Sequence, residues 1–136
     1  MAVVITGKYT GDLRCEATHG PSGSTLVTDA PADNMGRGEM FSPTDLVATA
    51  LGTCVITTMA ILAKRRGIDF SSATFTVEKH MVVEPTRRIG RLPVTIRMSA
   101  SIAPADRVLL ERAAHTCPVH KSLHADVEAP ISFVYE

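Results

Sequence analysis

The chain of 136 residues contains no tryptophan, and only two tyrosines and four phenylalanines. A surface that stacks nucleic-acid bases needs such rings, so a single-strand binding face is not expected. The chain also lacks a charge of one sign, because 14 Lys and Arg balance 14 Asp and Glu. A duplex-binding face would need a basic excess, and an acidic solvated tail would need a run of carboxylates. Cysteine is scarce and odd in number, at three. That fits poorly with the paired framework of a small secreted domain. The first residues, "MAVVITGKYTGD", hold no basic segment followed by an apolar stretch and a cleavage site, so no secretory leader is read there. A reducing cytoplasm is the expected compartment, where paired thiols serve catalysis, redox sensing or metal binding. No phosphate cradle is present, since "NMGRGE" lacks the spacing and the strand–loop–helix context. Nor does any serine sit in a nucleophile elbow.

What is present is enough apolar material for a core: 45% hydrophobic residues against 21% charged. One α+β domain over residues 1–136 is expected. Strands are predicted over 3–10, 13–19 and 24–30, followed by a polar loop, "PADNMGRGEMFS", at 31–42. A helix then begins with Ser42 as cap, Pro43 at its first position and Asp45 completing a shortened capping box. It runs to about Arg66, where Lys64, Arg65 and Arg66 suit the negative end of its dipole and Gly67 stops it. Its uncharged stretch, Leu46 to Ala63, reaches the length of a membrane span. Four threonines and Gly52 interrupt it, however, and sheet-like segments flank it. A helix buried on most sides in a globular core is expected, with no membrane partner. Residues 73–84 and 89–102 alternate as a long hairpin, with Pro93 marking an edge or bulge. Helices over 104–115 and from Pro118 follow, then a last strand over 127–135.

The chemistry-bearing residues are the thiols. Cys15 shares a strand face with Leu13 and Ala17 and is expected to be buried filling. Cys54 lies in mid-helix, beyond the reach of the dipole, and an apolar setting makes a thiol inert unless a cation reaches it. Thr57 and Thr58 lie close enough along the helix to donate to it. Cys117 directly precedes Pro118 at a helix start, where unpaired N–H groups favour a thiolate. On local physics it is the more acidic of the two. A second reading takes His115, Cys117, His120 and His124 as zinc ligands, although their spacing is not that of two separated pairs.

Two segments taken together, "FSPTDLVATALGTCV" and "CPVHKSL", resemble the OsmC/Ohr superfamily of osmotically inducible and organic hydroperoxide resistance proteins. The resemblance implies an OsmC-like α+β fold, with a long central helix packed on antiparallel sheet and two chains intertwined as an obligate homodimer. It implies reduction of organic hydroperoxides, with Cys54 as the peroxidatic and Cys117 as the resolving cysteine. No bound cofactor or metal is implied; an external dithiol, such as a lipoylated protein, resets the thiols. The family activates its thiolate with an arginine from the N-terminal strands. Arg14 matches by position, and Arg37 is the second candidate. In the best-known peroxidase branches a Glu after the helix-start Pro orients that arginine. Here Thr44 follows Pro43, and Asp45, about 100° further round the helix, is the available carboxylate partner. This departure places the sequence nearer an OsmC-like branch. It keeps a non-enzymatic redox-sensing or small-molecule-binding role open beside the peroxidase.

Overall fold

Ser42 and Asp45 set the start of the longest element. The Ser42 backbone N–H donates to the Asp45 carboxylate at 2.9 Å, and the Asp45 N–H donates to Ser42 Oγ at 3.0 Å. This reciprocal box satisfies two donors that a helix start leaves unpaired. Helix α1 follows over Pro43–Arg66, and Gly67 ends it at a positive φ of 67°. The computed structural model describes all 136 residues, Met1–Glu136. It falls into two compact units, Met1–Leu46 and Val47–Glu136.

The first unit carries strands β1 (Ile5–Gly11), β2 (Arg14–His19) and β3 (Thr25–Asp29) in one antiparallel sheet of order β1-β2-β3. Cys15 stands opposite Tyr9 on one side and Thr28 on the other. It is exposed, so the expected burial does not hold. The reason lies in its neighbours: Ile5, Tyr9, Leu13 and Leu26 are themselves exposed, and the unit does not cover this sheet with its own residues.

The second unit is built on α1. Ala48, Leu51, Gly52, Val55, Met59 and Ala63 are its buried residues, recurring every three or four positions along one stripe. All but Gly52 join Val94, Ile96 and Met98 of strand β7 (Val94–Met98), and Leu110 and Ala114 of helix α2 (Pro104–Ala114), in one core cluster. The segment read as a long hairpin is one, with an outer and an inner ladder. Strand β4 (Thr74–Val77) pairs with β7, and β5 (His80–Val82) pairs with β6 (Arg88–Arg91). Pro93 falls between β6 and β7, where it has no ladder N–H to supply. The closing strand β8 (Ile131–Tyr135) lies beside β7 in parallel. The sheet of order β4-β7-β8 is therefore mixed, not antiparallel throughout as expected. The parallel pairing follows from the connection, because α2 and the short helix α3 (Pro118–Ser122) carry the chain back between β7 and β8.

Helix α1 is long and apolar enough to cross a membrane by length and composition, and 33% of that window is buried within the chain. The expectation of a helix covered on most sides is thus not met by one chain alone. The single buried stripe leaves residues such as Ile61 exposed.

Candidate active site

Cys54 and Cys117 come together within the second unit. Cys54 is half-buried on α1 and packs against the core cluster, whereas Cys117 is fully buried within it. Cys117 is the N-cap of α3, and its sulfur accepts the His120 backbone N–H at 3.4 Å. The two side chains lie within hydrogen-bonding reach of each other. Burial raises the Cys117 thiol above its ordinary value, and its contact with Cys54 raises it further. The donated backbone N–H groups of His120 and Val119 pull the other way and do not prevail. The local expectation that the helix start acidifies the Cys117 thiol is therefore not met. The helix start is there, but the sulfur has lost its water.

The threonines read as thiol donors do something else. Thr58 Oγ1 donates to the Cys54 carbonyl at 2.8 Å, closing onto the backbone. Thr57 faces solvent. The histidine cluster does not converge on one point, and no group of three potential ligands is placed to hold a metal. His120 Nε2 donates to the Ala129 carbonyl at 3.1 Å, His124 Nδ1 accepts from the Asp126 N–H at 3.0 Å, and His115 meets the Phe133 ring edge-on.

In the first unit, Arg14 sits where β2 begins. Its Nε donates to Asp29 Oδ1 at 2.6 Å and its Nη2 to Asp29 Oδ2 at 3.2 Å, a two-point grip on the last residue of β3. Register explains this, since Arg14 and Asp29 are directly opposed across the ladder. Nη2 also reaches Glu39 Oε2 at 3.2 Å. Asp29 is 1% exposed, and the Arg14 guanidinium holds its carboxyl below the usual carboxylate range. The carboxylates on Arg14 are thus Asp29 and Glu39, while Asp45 caps α1. Sequence reasoning missed both. An acid closing a β-branched strand in "TLVTDA" was the available clue, because a buried acid needs a cation. Arg37, the second candidate, lies 3.8 Å from Asp12 on the surface.

Comparison with known proteins agrees with this architecture. A family model for OsmC-like protein matches residues 36–131. A Psychrobacter arcticus 273-4 protein, described as an osmotic stress induced and detoxification response protein, is 38% identical over 95% of this chain and 93% of its own, with a TM-score of 0.89. The organic hydroperoxide resistance protein OsmC of Legionella pneumophila is 14% identical over 98% and 97%, with a TM-score of 0.78. The organic hydroperoxide resistance protein OhrB of Bacillus subtilis is 16% identical over 98% of each chain, with a TM-score of 0.69. Both share the fold. Among curated proteins none matches. The chain is a member of the OsmC-like protein family.

Proposed function

We propose that the protein is a thiol-dependent reductase of organic hydroperoxides. The observation that carries the reading is the contact between a half-buried Cys54 and a fully buried Cys117. The Cys54 thiolate attacks the peroxide O–O bond, giving a Cys54 sulfenic acid and, after protonation, an alcohol. The Cys117 thiol then attacks that sulfur; water leaves and a Cys54–Cys117 disulfide forms. A dithiol reductant exchanges with the disulfide and leaves as its own disulfide, restoring both thiols. Lipoylated protein is the proposed reductant, the cytoplasm the proposed compartment, and no bound cofactor or metal takes part. Arg14 is the cation assigned to stabilise the Cys54 thiolate. In this reading the working unit is a homodimer. Support comes from the apolar residues left uncovered by one chain: Ile5, Tyr9 and Leu26 on the first sheet, and Ile61 on α1.

A second reading, a redox-sensing or small-molecule-binding protein with weakly activated thiols, is favoured by one observation. Arg14 already carries two carboxylates. Peroxide consumption separates the two. With cumene hydroperoxide and dihydrolipoamide the wild type should turn over and Cys54→Ser should not. Equal rates for the two proteins would overturn the reductase.

A further inference from the structure

Helix α3 is five residues long and carries Cys117 at its N-cap. A helix so short does not hold itself in place. Its bonds from the Lys121 N–H to the Cys117 carbonyl (3.1 Å) and from Ser122 Oγ to the Pro118 carbonyl (2.8 Å) close within it. Val119 and Leu123 pack against the core cluster, but apolar contact has no direction and leaves the helix free to turn. One side chain supplies direction. His120 Nε2 donates to the Ala129 carbonyl at 3.1 Å. That carbonyl belongs to a fixed stretch. The Glu128 N–H donates to the Gly90 carbonyl at 3.0 Å, the Leu92 N–H to the Glu128 carbonyl at 2.7 Å, and the Val94 N–H to the Pro130 carbonyl at 2.9 Å. Residues 128–130 are thus laced along residues 90–94 on both sides of Ala129.

The same residue stands at both ends of this link. The His120 backbone N–H donates to Cys117 Sγ at 3.4 Å, while its ring anchors the turn that carries that N–H. A carbonyl only accepts, so Nε2 carries the proton. The imidazolium carries that proton too, so protonation of the ring leaves the link intact. Cys54 and Cys117 lie in the same compact unit, and the link runs wholly within it. We infer that His120 is the positioning residue of Cys117: its ring tethers α3 to residues 128–130 and so keeps the Cys117 sulfur against Cys54. The consequence for peroxide chemistry rests on the reductase reading; the effect on pairing of the two thiols does not. In that chemistry a Cys54 sulfenic acid has two fates. Cys117 attacks its sulfur, water leaves and the disulfide forms. Otherwise a second hydroperoxide passes one oxygen to the sulfur, giving the sulfinic acid, and leaves as the alcohol. A tethered Cys117 favours the first.

The test uses the full chain with Cys15→Ser as parent, so that the exposed thiol stays silent. Two quantities are read by intact mass. The first is the equilibrium constant for the Cys54–Cys117 disulfide in glutathione buffers, where one oxidised glutathione takes up two electrons and two protons and leaves as two thiols. The second is the ratio of Cys54 sulfinic acid to disulfide after excess cumene hydroperoxide. His120→Leu should lower the constant and raise the ratio, each by about fivefold, the scale of one hydrogen bond. His120→Gln, whose amide nitrogen reaches as far as Nε2, should stay within about twofold of the parent. His120→Asn, with the same amide on a shorter stem, should behave like His120→Leu. If His120→Leu matches the parent in either quantity, or His120→Gln is impaired as much as His120→Asn, the tether is overturned. The Gln and Asn variants decide alone if His120→Leu does not fold. A parent that forms no Cys54–Cys117 disulfide in glutathione overturns it as well. A parent inert to peroxide, whose variants still follow the predicted order in glutathione, would sink the reductase and keep the inference.

Discussion

At the scale of single residues, the two thiols differ in what surrounds them. Cys117 is wrapped by core side chains and keeps its proton, while Cys54 is half-buried on a helix surface. Iodoacetamide at neutral pH should therefore modify Cys54 well before Cys117 in a Cys15→Ser background, as peptide mass mapping will show. Equal labelling would contradict the burial. Asp29 gives a second prediction. Its folded-state pKa lies below its unfolded value of about 3.9. Its contribution is present in full above that unfolded value and is lost as pH falls through the lower folded one. Acid unfolding of the wild type should steepen below about pH 4, and Arg14→Met should remove much of that dependence, as read by circular dichroism. The error about Cys117 also belongs to this scale. Its place at a helix start is written in the dipeptide Cys117-Pro118, but its burial is a sum over α1, α2 and β7. No local pattern carries that sum.

Elements were more legible than their neighbours. Helix α1 begins and ends where Ser42, Pro43, Lys64–Arg66 and Gly67 say it should, because capping is chemistry within one turn. Ser42→Ala should cost about 1 kcal/mol and lower the melting temperature by roughly 4 °C. Gly52 tests packing against propensity. Helix propensity alone makes Gly52→Ala stabilising by about 1 kcal/mol. A Cβ at this position would lie 2.5 Å from Phe75 Cε2, however, so the ring of β4 must move. Packing wins, and a loss of about 1–3 kcal/mol is expected in urea unfolding. A stabilised variant would show that the ring yields freely. The hairpin over 73–102 was legible from its alternation, with β4–β7 as its outer and β5–β6 as its inner part. What the sequence concealed was the parallel β8, since partners are chosen by topology and not by composition.

For the whole molecule, the apolar pattern asks for more cover than one chain supplies. Helix α1 was expected to be buried on most sides, yet its own chain buries 33% of that window. On the homodimer reading, light scattering should give twice the 14.6 kDa chain mass. Ile61→Glu should shift it toward the monomer and lower stability together, because folding and association are then linked. A wild type that stays monomeric at high concentration would contradict this.

The central claim concerns the pair Cys54 and Cys117. Its most direct test is intact mass and free-thiol count after one equivalent of cumene hydroperoxide, in wild type, Cys54→Ser and Cys117→Ser. The account predicts rapid loss of two thiols in wild type, a trappable sulfenic acid in Cys117→Ser, and no reaction in Cys54→Ser. Wild-type thiols that survive for minutes, or a Cys54→Ser protein that reacts as fast as wild type, would contradict it.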